Sequence, residues 1–325
     1  MDYDVAVIGN DEAAFEMLSL SAASKRRTVA ILPESTHSAW LVGQSLRRLI
    51  SDLLVDRTAQ RRAMFAKAGT PRLLQALVRG AVVEEVSEHV RMLENIGVDV
   101  MLGEARFIGS RDLMVSLGVS CRRETVTARH LVIGTGVRQT TMHRPLGLMP
   151  FHRPESLLTG QHLPKTACVV GGGDVGAGLS ALISLFGVAT RHVARHDNES
   201  IMHELAAAAG VQIGYHPAEV GLPQFGAPFT KLHADVVDCR RSVGFTDHLS
   251  LDAINVEPDE NGQLWCASNF ETWCSGVFGI GDVVGFSPDT ALHPSIQAER
   301  VMSSITRAIP RPHLLNSLVR ATAAG

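Results

Sequence analysis

Charge of one sign is what this chain of 325 residues most plainly lacks, since 30 Lys and Arg stand against 33 Asp and Glu. Grip on a nucleic-acid backbone needs a strongly basic domain, so nucleic acid is excluded as a partner. Aromatic residues make up only 5% of the chain, and no apolar run approaches the ~18 residues of a membrane helix, which excludes a membrane span. The opening Met1-Asp-Tyr-Asp4 is acidic and its apolar run ends at Ile8, so neither a signal peptide nor a targeting presequence is expected. The five cysteines, Cys121, Cys168, Cys239, Cys266 and Cys274, are odd in number and contain no C-x-x-C. That pattern argues against a disulfide framework or a zinc site and for a reducing, cytoplasmic setting. Fourteen histidines are present, but no H-E-x-x-H or mixed Cys/His spacing, so no metal is expected. A nucleophile elbow and a phosphate-binding P-loop are also missing.

What the chain has in quantity is glycine, 29 residues, within a composition that is 45% apolar. This balance fits an α/β protein with many tight strand-to-helix turns. Tyr3-Asp-Val-Ala-Val-Ile8 reads as a buried parallel strand, short and β-branched, followed at Gly9 by a turn and a helix over about residues 11–24. Thr28-Val-Ala-Ile-Leu32 is the next strand. Residues 43–95 carry a helical pattern broken at Gly69-Thr-Pro71. Strands are expected at 98–102 and 113–117, and His130-Leu-Val-Ile-Gly-Thr-Gly136 as a strand entering a glycine turn. A Pro-rich connection spans 144–164. The opening pattern then repeats: a strand at 167–170, a glycine turn at 171–176, a helix at 177–186 and a strand at 190–194. Repetition of strand, glycine turn, helix and strand implies two Rossmann-like nucleotide folds in one chain. Near the end, Gly276-Val-Phe-Gly-Ile-Gly-Asp282 brings another short strand into a turn, and a last helix is expected at 295–307.

The second glycine motif is complete. Gly171 can form the tight turn, Gly173 lets a pyrophosphate approach the backbone, and Gly176 lets helix and strand pack closely, with Asp174 and Val175 between them. The following helix N-terminus offers free amides and partial positive charge to the phosphates. At the end of the next strand, where an acid would bind the 2′-hydroxyl of NAD(H), stand Arg195 and His196, and Arg accommodates a 2′-phosphate. NADP(H) is therefore expected over NAD(H), with Asp197 keeping NAD(H) open.

In the first motif, Gly9-Asn-Asp-Glu-Ala-Ala14, Ala14 is a permitted third residue but Asp11 replaces the central glycine. A carboxylate there adds bulk and like charge where a diphosphate must touch the backbone. Glu34 lies about 20 residues beyond, as a ribose-binding acid should.

Together these residues resemble the pyridine nucleotide–disulfide oxidoreductase family and, within it, its soluble transhydrogenase and dihydrolipoamide dehydrogenase branches. The carriers are residues 3–9, Val98-Asp-Val-Met-Leu-Gly-Glu-Ala-Arg-Phe107, residues 128–136, the Gly171 motif, and Val277-Phe-Gly-Ile-Gly-Asp-Val283. The resemblance implies FAD at the first site, with Gly9, Ala14, Glu34, Gly134 and Gly136 around it and Gly281-Asp282 as a second contact through the ribityl chain. It also implies two Rossmann-like domains without a C-terminal dimerisation domain: an FAD-type unit of residues 1–150 and 268–325, and an NAD(P)-type unit of residues 151–267. The family's redox cysteine pair is absent from residues 36–47. Gln44 stands where its lysine belongs, and Gly178 where the glutamate partner of that lysine belongs.

Two functions stay open: an NAD(P)H-dependent flavin oxidoreductase handing electrons to a small-molecule or protein acceptor without a protein disulfide, and a catalytically degenerate NADP(H)-binding sensor or partner protein. No catalytic residue can be named from the sequence, and the oligomeric state is left open.

Overall fold

The computed structural model describes residues 2–34, 38–55, 71–118, 122–140, 151–152, 163–194, 200–215 and 235–307. The chain opens with β1 (Asp2–Ile8), α1 (Glu12–Ala23) and β2 (Thr28–Leu32). The two strands pair in parallel, with Val5 opposite Thr28 and Ile8 opposite Ile31. Their β-branched runs are buried on both sides, as strands flanked by helices must be. Two helices follow, α2 (Ala39–Val55) and α3 (Pro71–Asn95). Pro71 opens α3, where its missing N–H costs nothing.

β3 (Asp99–Gly109), β4 (Asp112–Leu117) and β5 (Arg123–Ile133) serve two purposes. The first half of β3 pairs in parallel with β2 and the last half of β5 with β1, while their outer halves pair antiparallel with β4. With β14 (Val277–Gly279) beside β5, the parallel sheet runs β3-β2-β1-β5-β14. The strand expected at 130–136 thus starts at Arg123 and ends at Ile133. Its outer half alternates polar and apolar residues because only one face of the antiparallel ribbon is covered.

A short ribbon of β6 (Val137–Thr140) and β12 (Arg241–Gly244) links this sheet to a second one. That second sheet has the order β10-β9-β8-β11-β7 and is parallel throughout: β7 (Phe151–His152), β8 (Thr166–Val170), β9 (Ala189–Ala194), β10 (Gln212–Tyr215) and β11 (Asp235–Asp238). α4 (Gly173–Leu185) and α5 (Ile201–Ala208) make its crossovers. α4 begins at Gly173 instead of 177, so the glycine motif is itself the first helical turn. β13 (Leu264–Trp265) and β15 (Val284–Phe286) form a small parallel pair, and α6 (Pro294–Arg307) packs on α1.

Each sheet has its own apolar core. Leu249, Leu251, Ile254, Val256, Leu264 and Cys266 all pack into the first core. These side chains, all before residue 268, join the first core rather than the second, Leu264 and Cys266 against Gly279 of β14. Among the described residues no helix is long and apolar enough to cross a membrane.

Candidate functional site

The two glycine turns sit at the carboxyl ends of β8 and β1, the edge at which open α/β sheets bind nucleotides. At the second turn Gly171, Gly172 and Gly173 all hold left-handed φ values, +70°, +83° and +50°, a run that only glycine adopts without strain. A Cβ on Gly176 would collide with the Gly171 carbonyl, whereas one on Gly173 would meet nothing within 4 Å. The turn is thus tight on the strand side and open on the side that α4 presents to a ligand. Gly173 and Asp174 are exposed, and Val175 is half-buried against α2 near Gly43. These residues can receive a pyrophosphate on backbone amides at a helix N-terminus.

Three further side chains frame this turn, and spacing alone did not reveal them. Asp238, buried at the end of β11, binds Arg240 through two bonds of 2.8 Å. Arg240 in turn lies across Gly171, its Cγ 2.7 Å from where a Cβ on that glycine would be. Beneath the turn, His192 is wholly buried beside Gly176, with Nδ1 3.3 Å from the Ser180 hydroxyl and the ring 5.4 Å from that of His203. The Ser180 hydroxyl donates to the Gly176 carbonyl at 2.7 Å, so the imidazole helps set the turn's floor. Burial, reinforced by the nearby His203, pushes the His192 pKa down to about 4 and keeps it neutral. Arg195 and His196 lie outside the described residues.

The first turn has the same scaffold with a different filling. Gly9, at φ +115°, passes so close to Gly134 that any Cβ would collide with its carbonyl. Ala14 packs under Gly134, its Cβ 2.8 Å from a Cβ built there. Asn10 ties the turn to the start of α2: its Oδ1 accepts the Ser38 amide at 3.0 Å, and its carbonyl accepts the Ser38 hydroxyl at 2.9 Å. Asp11 is the decisive residue. Its side chain does not point to solvent; it is 3% exposed, and Oδ2 accepts the Asp282 amide at 3.0 Å. Gly281 and Gly136 close around it, the latter leaving 3.0 Å between a built Cβ and Asp11 Cγ. The Gly281 amide donates to Gln297 Oε1 at 2.9 Å. Burial first, and then the Asp282 carboxylate, push the Asp11 pKa up to about 7, against the pull of the Asp282 and Glu12 amides.

Glu34 is exposed, its carboxylate over Gly118, at the end of β2 where a ribose-binding acid is expected. Beside it a small cavity is walled by Ile8, Ile31, Pro33, Thr135, Phe245 and His248. The Thr135 hydroxyl and His248 Nδ1 have no hydrogen-bond partner there. The diphosphate of a first-site ligand would meet the Asp11 carboxyl group already on the Asp282 amide.

Between the two turns, α2 packs on α4. Gly178 is buried there, with Leu46 Cβ 3.1 Å from a built Cβ, which leaves an apolar contact where the resemblance implies a lysine–glutamate pair. No group of three or more metal-ligating side chains occurs among the described residues.

Comparison with known proteins agrees with this fold. A model of the family described as pyridine nucleotide-disulphide oxidoreductase matches residues 3–218. The chain is 26% identical over 319 residues to a soluble pyridine nucleotide transhydrogenase of Marinomonas sp. (strain MWYL1), covering 87% of this chain and 67% of the relative. It is 25% identical over 341 residues to the protein of that name from Hahella chejuensis, covering 94% and 71%. Among solved structures, the Cu(II) complex of the HOCl-induced flavoprotein disulfide reductase RclA from Escherichia coli superposes with a TM-score of 0.59 at 14% identity, covering 96% of this chain and 72% of that one. LpdA from Mycobacterium tuberculosis gives 0.59 at 17% identity, covering 94% and 72%. At these identities the structural likeness speaks for the fold alone.

Proposed function

The chain belongs to the pyridine nucleotide-disulphide oxidoreductase family, and from that premise we propose that it binds a nicotinamide nucleotide on the turn at 171–176. The observation that carries this reading is the run of three left-handed glycines opening directly into α4, with free space in front of Gly173. The backbone amides there and the helix N-terminus would hold the pyrophosphate. Arg195 would reach the 2′-phosphate and favour NADP(H), with His196 beside it. Arg240, held by Asp238, lies against Gly171 at the same mouth.

FAD, which family membership implies for the first site, would supply hydride transfer if it were bound. The Asp11 geometry gives no support to that step. Of the two functions left open by the sequence, it favours a nicotinamide-nucleotide-binding protein, a sensor or partner protein, over a flavin oxidoreductase with an unidentified acceptor. Titration of NADPH and NADH into wild type and Arg195→Ala tests the reading. NADPH should bind at least about tenfold more tightly than NADH, a difference of about 1.4 kcal/mol, and Arg195→Ala should erase the preference. Failure of both nucleotides to bind would remove the proposal. Stoichiometric flavin in the purified protein, with NADPH-driven bleaching of its colour, would restore the oxidoreductase reading.

A further inference from the structure

We propose that the Asp11 carboxyl group is a built-in plug that closes the first dinucleotide cradle, taking from within the chain the Asp282 backbone donor and the space a diphosphate would need. Three independent features of the geometry support it. The carboxylate is buried at the N-terminus of α1, where helix amides and the helix dipole favour a negative group. It accepts the Asp282 amide across a sequence separation of 271 residues, joining the first turn to the turn at 281–283. Both surrounding glycines are shaped to it: a Cβ on Gly281 would overlap Oδ2, and one on Gly136 would crowd Cγ. A diphosphate brought to this place would have to displace the carboxylate from those amides or share the space with it, anion against anion.

Among the side chains facing Asp11, none offsets its charge; only the Asp282 and Glu12 amides do. Glu12 on α1 and Asp282 on the opposite turn are both acidic, and α6 presents the uncharged Gln297 to the adjacent Gly281 amide. Among the described residues, no cation is one of the main groups acting on it. The raised pKa is the cost of this placement: burial and the Asp282 carboxylate disfavour the charged form, and the carboxyl group is held there by the Asp282 amide it accepts. The first fold thus completes its own cradle, and the chain can hold its shape with no flavin.

The test uses the full chain and measures FAD directly, with no activity needed. Wild type, Asp11→Gly and Asp11→Asn are purified, their flavin content is read from visible absorbance, and FAD is titrated by quenching of its fluorescence. Wild type should be colourless and show no saturable binding. Asp11→Gly, which removes both charge and bulk, should bind at least about a hundredfold more tightly than wild type, given the cost of a buried unpaired charge. Asp11→Asn, which keeps the volume but not the charge, should fall between them. Thermal melts check that each variant is folded. If Asp11→Gly does not fold, a tenfold gain in Asp11→Asn sustains the proposal and no gain overturns it. Wild type carrying stoichiometric FAD, or Asp11→Gly binding no better than wild type, overturns it as well. NADPH titration of the same samples reads the second cradle separately, so loss of the nicotinamide reading would leave this result standing.

Discussion

The two glycine turns of this protein are built on the same plan, yet they differ at the central position of the motif. At the second turn that position is Gly173, left-handed at φ +50° and facing open space. At the first it is Asp11, with an extended backbone at φ −81° and a side chain folded inward onto the Asp282 amide. The opposing elements differ to match. The turn at 281–283 faces the first cradle and offers it the Asp282 amide. The end of β11 faces the second and brings a guanidinium already held by Asp238. Beneath the cradles the contrast continues, for the first contains a buried acid near its titration point and the second rests on a buried neutral base. One residue in the motif thus changes what fills the cradle: open space at the second turn, a buried carboxyl group at the first.

The largest effects should come from glycines whose missing Cβ makes room for backbone. Gly9→Ala places a Cβ against the Gly134 carbonyl at a φ that L residues avoid, and should cost about 3 kcal/mol or more. Gly176→Ala has the collision without the unfavourable φ and should cost about 2–3 kcal/mol. Gly173→Ala has only the φ penalty, about 1–2 kcal/mol. Denaturant unfolding of the three variants checks the order. If Gly173→Ala proves the most damaging to stability, the open face assigned to the second turn is wrong.

Acid and base under the two turns should give pH effects of opposite sign. Asp11 has a folded pKa of about 7 against an ordinary 3.8, so the folded state binds the proton more tightly and stability rises as pH falls from about 7 to 4. The full shift corresponds to about 4 kcal/mol as an upper bound. His192, at about 4 against 6.5, binds its proton less well in the folded state. Stability is therefore lost as pH falls from about 6.5 to 4, by up to about 3 kcal/mol. In wild type the two nearly cancel over the shared window. Asp11→Asn should be more stable than wild type at about pH 8 and decline steadily on acidification, while His192→Gln should show the rise alone. Identical pH profiles for wild type and Asp11→Asn would mean that the carboxylate is solvated, and the contrast between the cradles would disappear.

Much of this arrangement was legible because parallel strands buried on both faces are written as short apolar runs with glycine at their ends. Thr28–Leu32 coincides with the strand read from sequence, and both glycine turns lie where the motif placed them. The outer half of β5 was missed because Arg123-Glu-Thr-Val-Thr mixes charge into a strand covered on one face only. That Asp11 conflicts with a diphosphate could be read from charge and size. Its partner could not, since the Asp282 amide is far away in sequence and a backbone donor carries no residue signature. Asp238 and Arg240 were overlooked for another reason: two charged residues at a strand end usually read as solvated surface, and only the closeness of β11 to Gly171 makes them part of the turn.

The smallest effect expected concerns the thiols, and it sets them against Asp11. Alkylation needs the thiolate, which burial in an apolar setting suppresses. Burial pushes Cys168 up to about 11 and Cys266 up to about 12, and raises Cys274 as well, with the Glu271 carboxylate adding to it. Cys239 is buried directly behind Gly172, its Cβ 2.6 Å from a Cβ built on that glycine, so any group attached to its sulfur would distort the second turn. Cys121 lies outside the described residues. Iodoacetamide treatment of the folded protein at about neutral pH should therefore change nicotinamide-nucleotide affinity by less than about twofold, or ~0.4 kcal/mol. The same reagent in denaturant should reach every cysteine, as mass spectrometry can verify. Loss of nucleotide binding in the native sample, traced to Cys239, would show that the end of β11 opens away from the glycine turn. In that case the second cradle would be the mobile one, and the first, closed by its own carboxylate, the rigid one.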